Sequence, residues 1–188
     1  MRTVAAQNGF SLIELLVVMA MIGILTGFMV PRLRVTPRSK VRLAAQQLAR
    51  DLELVRTRAL VDRSITRVLF TPGFSAYTGY LDFNRDSVFA LSTAETDSLR
   101  GFGSRTLETG VQYGRAGGVP DLPLIPGAGA ITLPSNRIDF DTRGITMPFG
   151  SRGVIYLTHA DDPTAVAAVS ITGAAGIRAW VYAEGTWQ

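Results

Sequence analysis

One carboxylate interrupts the most apolar stretch of this chain. Between Phe10 and Val30 the only charged residue is Glu14. An acid well inside a membrane-spanning helix costs about 2.5–3.5 kcal/mol, and less near the interface. Two arrangements make such a residue tolerable. It can snorkel to the headgroup level, or a cation can neutralise it within the membrane or an assembly. The other groups able to do chemistry are fewer than in an enzyme. His159 is the only histidine and is followed by Asp161 and Asp162. With a serine from elsewhere it would formally complete a Ser–His–Asp set. Thr158-His159-Ala160-Asp161-Asp162-Pro163 reads instead as a polar turn between strands, and no catalytic residue is assigned.

Two further patterns begin like binding loops and then depart from them. Asp82-x-Asn84-x-Asp86 opens like a calcium loop, but Ser87 stands where glycine is needed and Thr93 where a bidentate glutamate is needed. Gly173-x-x-Gly176 lacks the following helix and lysine of a phosphate cradle. No metal site and no cofactor is assigned, and the chain is read as not an enzyme.

The elements that must position Glu14 follow from composition and periodicity. The chain has 188 residues, which suits one modest domain plus an extra segment. It has no cysteine, which removes disulfides, thiolate metal sites and cysteine nucleophiles. Charge is unevenly placed. Residues 32–63 hold nine Lys/Arg against Asp51, Glu53 and Asp62, a net +6, whereas residues 64–188 sum to −2. The pI of about 10.0 therefore reflects one basic segment beside an apolar one. A nucleic-acid-binding domain more often spreads basic charge over its folded face.

Residues 10–31 predict a transmembrane helix. The 21 residues from Phe10 to Val30 span about 31 Å as a helix, matching a hydrocarbon core of about 30 Å. Phe28, Met29, Val30 and Pro31 after the apolar core do not suit ordinary signal cleavage. Val41, Ala45, Leu48, Leu52, Val55 and Ala59 then recur at spacings of 4, 3, 4, 3 and 4. That stripe predicts an amphipathic helix over about Ser39–Asp62, with Ser39 as its cap. The stripe needs a sheet to cover it, because an isolated amphipathic helix is marginal in water.

After Arg63 the texture is short β-like runs: Ile65–Phe70, Ala76–Leu81, Arg137–Phe140, Val154–Leu157, Val166–Ile171 and Ile177–Tyr182. Residues 172–176 suit a hairpin connection, and residues 114–135, rich in Gly and Pro, read as a long surface loop. Residues 83–133 support no specific assignment. The fold class is α+β, a long N-terminal membrane-spanning and amphipathic helix packed on an antiparallel β-sheet.

The segment Gly9-Phe10-Ser11-Leu12-Ile13-Glu14-Leu15-Leu16-Val17-Val18 resembles the leader of type IV pilins and type II secretion pseudopilins. It combines a short leader ending in Gly, an apolar first residue and a Glu four positions later. The second half is similar to the GspH/FimT group of minor pseudopilins and minor pilins. The residues that carry this are Leu48-Ala49-Arg50-Asp51-Leu52 through Arg58-Ala59-Leu60, Ile138-Asp139-Phe140-Asp141-Thr142-Arg143-Gly144, and Val169-Ser170-Ile171-Thr172-Gly173.

The resemblance implies a pilin-like chain with a leader at 1–9, a transmembrane helix at 10–31, its amphipathic continuation at 32–63 and a β-rich periplasmic domain at 64–188. It implies that a prepilin peptidase cuts between Gly9 and Phe10, that the Phe10 amine is methylated, and that Glu14 pairs with the Phe10 amine of a neighbouring subunit. Gly23 and Pro31 match positions that bracket a helix segment able to loosen on assembly. Implied partners are other pilins or pseudopilins, the peptidase and the bacterial inner membrane, crossed once with the C-terminal domain in the periplasm. Arg32, Arg34, Arg38, Lys40 and Arg42 against Arg2 alone favour the inverted orientation by the positive-inside rule; the leader motif is taken to set it. The implied function is a minor pseudopilin supporting type II secretion. The alternative is a minor type IV pilin in pilus assembly or DNA uptake. DNA binding in that group uses paired C-terminal arginines, of which Gly176-Ile177-Arg178-Ala179 keeps one.

Overall fold

The computed structural model describes residues 10–29, 36–87, 89, 102–123 and 125–188. These divide into two compact units, one ending at Thr36 and one spanning Pro37–Gln188. In the first, the apolar run forms helix α1 (Leu12–Met29), 18 residues long. Gly9, Val30 and Pro31 lie outside the described residues, as does the stretch in which α1 was expected to continue into the next helix.

The second unit is built on helix α2 (Pro37–Asp62). It starts two residues before the expected Ser39 cap. Pro37 takes the first helical position, where a missing N–H costs nothing and φ is already set. At the far end Arg63 turns left-handed (φ 49°) and the Ser64 N–H reaches back to the Ala59 carbonyl at 3.3 Å. That backward bond is the Schellman closure that stops a helix. The predicted stripe is the buried face, joined by Ala44 and Asp51. Its fully buried Val41, Leu48, Leu52 and Val55 each contribute about 1.5–3 kcal/mol of transfer free energy.

Ten strands follow: β1 (Thr66–Thr71), β2 (Ala76–Leu81), β3 (Ser104–Thr106), β4 (Val111–Tyr113), β5 (Arg137–Phe140), β6 (Thr146–Met147), β7 (Gly153–His159), β8 (Val166–Ile171), β9 (Ile177–Ala183) and β10 (Thr186–Trp187). The expected antiparallel arrangement holds, but the strands divide into two five-stranded sheets, ordered β3-β2-β1-β5-β6 and β10-β9-β8-β7-β4. Both sheets contribute to one core around α2, with Val68, Phe70, Ile138 and Phe140 from the first and Ile155, Leu157, Val169 and Ile171 from the second.

Residues 114–135 differ from the surface loop expected. β4 pairs with β7 as far as Tyr113↔Leu157, and the Gly114 N–H donates to the Tyr156 carbonyl at 3.0 Å. Ile131 then bridges Ile155, and the Thr132 N–H donates to the Val154 carbonyl at 2.9 Å. The two segments follow the same edge of β7 in the same direction, so they are one edge strand with an insertion between them. The insertion folds over the outer face of the second sheet, where Leu122 and Ile125 make a smaller core with Val154, Tyr156 and Ala168. For this reason every residue of β7 and β8 is buried.

Candidate functional site

The N–H groups of Glu14 and Leu15 donate to the Ser11 carbonyl at 3.0 and 3.2 Å. Ser11 is thus the N-cap of α1 and Glu14 its third residue, in the first turn. A carboxylate there faces the positive end of the helix dipole. Phe10 immediately precedes the cap and is 84% exposed. The apolar side chains from Leu12 to Leu25 are bare in every direction, from 82% at Leu12 to 45% at Val17. Residues Leu15 to Met19 are exposed in unbroken succession, so among the described residues of this unit the apolar side chains point out on every side of the helix. Its one hydroxyl, on Thr26, is satisfied internally by the Ile22 carbonyl at 2.6 Å. A Cβ added at Gly23 would meet nothing within 4 Å.

Among the described residues no helix is long and apolar enough to cross a membrane. At 18 residues α1 extends about 27 Å, short of the roughly 30 Å needed without Val30 and its neighbours.

The remaining sequence candidates have structural employment. His159 is buried, and its Nδ1 accepts the Asp161 N–H at 3.1 Å. Its Nε2 is buried without a hydrogen-bond partner, packed against Gly110, so no nucleophile is attached to it. The Asp161 side chain is 87% exposed. Among the described residues the structure does not bring a Ser–His–Asp set together.

The Asp82 carboxylate accepts the N–H groups of Asp86 at 3.2 Å and Ser87 at 3.0 Å, and so closes a turn. Among the described residues no group of three or more acidic or histidine side chains could hold a metal ion. Gly173 is a close-approach glycine: a Cβ there would lie 2.9 Å from the backbone of Gly150. Arg178 stands over the ring of Trp180 at 5.2 Å, and the Trp180 indole donates to Ser170 Oγ at 2.9 Å.

Sequence reasoning missed the polar centre of the domain. Asp51, buried on the core face of α2, accepts from Tyr77 Oη at 2.6 Å, Arg105 at 2.8 Å and Gln47 Nε2 at 3.0 Å. The available signal was an acid on the apolar stripe, three residues after Leu48 and four before Val55. Burial, and then the hydrogen bond to Asp51, push the Tyr77 phenol well above its ordinary range. Burial alone does the same to Tyr113.

The motif Ile138-Asp139-Phe140-Asp141-Thr142-Arg143-Gly144 is likewise structural. Arg67 pairs with Asp139 through two bonds of 2.8 Å. Asp141 Oδ1 accepts the N–H groups of Arg143 and Ile145 at 2.9 and 2.8 Å. Burial raises the Asp141 carboxyl, but these N–H groups and the Arg143 guanidinium outweigh it and hold it below the usual range. Gly144 adopts φ 68° and its carbonyl accepts from Arg56 Nε at 3.0 Å, tying α2 to the turn.

Residues 4–30 match the family model described as the prokaryotic N-terminal methylation motif. No curated protein matches the chain. Among solved structures, the chain is similar to the minor pseudopilin EpsH from the type II secretion system of Vibrio cholerae. The identity is 13% and the TM-score 0.48, over 78% of this chain and 99% of that one. It is similar also to the type IV minor pilin FimU of Pseudomonas aeruginosa, at 12% identity and TM-score 0.46, over 80% of this chain and 94% of that one.

Proposed function

We propose that this chain, whose residues 4–30 match the prokaryotic N-terminal methylation motif, is a type IV pilin-like protein and a minor structural subunit of a type II secretion pseudopilus rather than an enzyme. One observation carries the reading. α1 is apolar on all faces and bare, and its only charge is Glu14 in the first turn. In water such a helix is a liability; in a bilayer or a bundle of like helices it is a solvent-matched element.

On this reading prepilin peptidase cleaves between Gly9 and Phe10 and methylates the Phe10 amine. The apolar segment from Phe10 to Pro31 holds the chain in the bacterial inner membrane, crossing it once, with the β-rich domain in the periplasm. Glu14 of one subunit meets the Phe10 ammonium of the next. Each charge alone is costly in hydrocarbon, and neutralisation between neighbours removes that cost. The same residues serve a minor type IV pilin equally, which is the second form of the proposal; its partners are then pilins.

Mass spectrometry of the mature polypeptide tests the reading. The expected chain begins at N-methylated Phe10, and Glu14→Ala remains inserted while its incorporation into filaments falls. A mature chain beginning at Met1, or normal incorporation of Glu14→Ala, overturns it.

A further inference from the structure

We propose that the outer edge of β3 is a strand-docking site. An extended segment of the adjacent filament subunit lies between β3 and α2, pairs with the main chain of Ser104 and Thr106, and sets an acidic side chain against Arg50. This rests on the reading of the chain as a filament subunit.

The open edge follows from the register. β3 pairs antiparallel with β2 as Ala76↔Thr106, Tyr77↔Arg105 and Thr78↔Ser104. The Leu107 N–H donates to the Ser75 carbonyl at 2.8 Å, and the Gly79 N–H to the Gly103 carbonyl at 3.2 Å. Residues 103, 105 and 107 therefore turn their main-chain groups toward β2. Alternate residues of an antiparallel ladder point the other way, so Ser104 and Thr106 present N–H and C=O outward. β3 is the last strand of its sheet, and both residues are exposed. An added strand is the partner that matches donors and acceptors repeating every second residue.

The space beside the edge suits such a guest. A groove of about 460 Å³ runs between residues 106–109 and the flank of α2 that carries Leu43 and Arg50. Leu43 is 50% exposed and offers an apolar contact. Arg50 is exposed, and among the described residues it makes no ion pair. The buried acid nearest to it in the chain, Asp51, is already taken by Tyr77 and Arg105. Glu108 lies at the opposite end, beside the bond from Lys40 to the Thr109 carbonyl. A guest acid is thus drawn to Arg50 and repelled from Glu108, which decides which way round the strand lies. Two main-chain pairings hold a free peptide weakly. A neighbour fixed in the same filament supplies the high effective concentration that a short strand needs.

The test uses the full chain expressed in a bacterium that assembles it. The readout is the ratio of filament-bound to membrane-held mature subunit, with protease resistance of the domain as the check on folding. Proline is tolerated on an edge where the N–H faces outward, so Thr106→Pro keeps the fold while removing the outward donor. It is expected to lower the ratio about fivefold, the equivalent of about 1 kcal/mol for one hydrogen bond. Thr106→Ala, which keeps the main-chain groups, loses less than twofold. Arg50→Glu lowers the ratio as Thr106→Pro does, and Arg50→Lys retains it. Normal incorporation of a folded Thr106→Pro or of Arg50→Glu overturns the proposal, as does an equal loss in Thr106→Ala. If Thr106→Pro is digested as an unfolded chain, Arg50→Glu decides alone. Glu14→Gln separates the two readings: if it incorporates normally, the assembly reading falls. If it fails to incorporate while Thr106→Pro and Arg50→Glu are silent, only the docking site falls.

Discussion

Tyr77 of β2 donates its phenolic hydrogen to Asp51 of α2 across 2.6 Å, inside the core shared by the helix and both sheets. Arg105 and Gln47 complete the shell of the same carboxylate. Asp51→Ala strands the Tyr77 hydroxyl where it is 2% exposed. The expected cost is about 2–3 kcal/mol, the range for a buried polar group left without its charged partner. Tyr77→Phe leaves two donors in place and costs about 1 kcal/mol. Urea unfolding of the Pro37–Gln188 unit measures both, and equal losses for the two variants would show that the carboxylate is not the centre.

The same phenol makes stability depend on alkaline pH. Tyr77 and Tyr113 are both held above the ordinary value of 10.0, so the folded chain keeps protons that the unfolded chain releases. The unfolded state then binds fewer protons, and unfolding free energy falls as pH rises. The contribution is complete below pH 10 and is lost progressively above it. Urea midpoints between pH 9 and 11 should decline, and Tyr77→Phe should flatten the decline by one proton's worth. An unchanged slope in that variant refutes the assignment.

Gly153 opens β7 beneath Leu133. A Cβ there would sit 2.5 Å from Leu133 Cδ2 and 3.2 Å from its backbone nitrogen. Gly153→Ala is expected to cost about 1–3 kcal/mol through overpacking. The double variant Gly153→Ala/Leu133→Ala should recover part of it, since the clash is with that side chain. Failure to recover would point to the backbone contact instead.

Leu122 is 2% exposed although it lies in the inserted segment. Its backbone N–H is held by Tyr156 Oη at 3.1 Å, and the Trp187 indole donates to the Pro120 carbonyl at 3.1 Å. Leu122→Ala should cost about 2–4 kcal/mol. It should also make residues 115–129 the first site of limited proteolysis. Cleavage elsewhere first would mean the insertion is held by its polar ties alone.

How much was legible in advance differs by element. The α2 stripe was readable because a helix buried on one side repeats at 3 and 4 in the sequence itself. Strands β2, β5 and β8 were readable because their apolar runs are bounded by turn residues. The two-residue strands β6 and β10 and the three-residue β3 and β4 carry too few positions to show a period. The interrupted edge of β7 was invisible for another reason. Gly114 and Ile131 are joined only through their shared neighbours Tyr156 and Ile155, a relation that no local pattern encodes. At the amino terminus the spacing of Phe10 and Glu14 could be read directly, whereas the place of Glu14 in the first turn emerged only once the helix start was fixed.

The ties that hold α2 in its domain have a mechanical meaning. Lys40 bonds the Thr109 carbonyl near one end of the helix, Asp51 holds Tyr77 and Arg105 at its middle, and Arg56 holds Gly144 toward the other end. All three reach sideways from the helix to the strands and their connections. A tug along the helix axis would load them together in shear instead of peeling them one at a time. The domain would then travel with its helix as a single stiff body, whichever end is pulled.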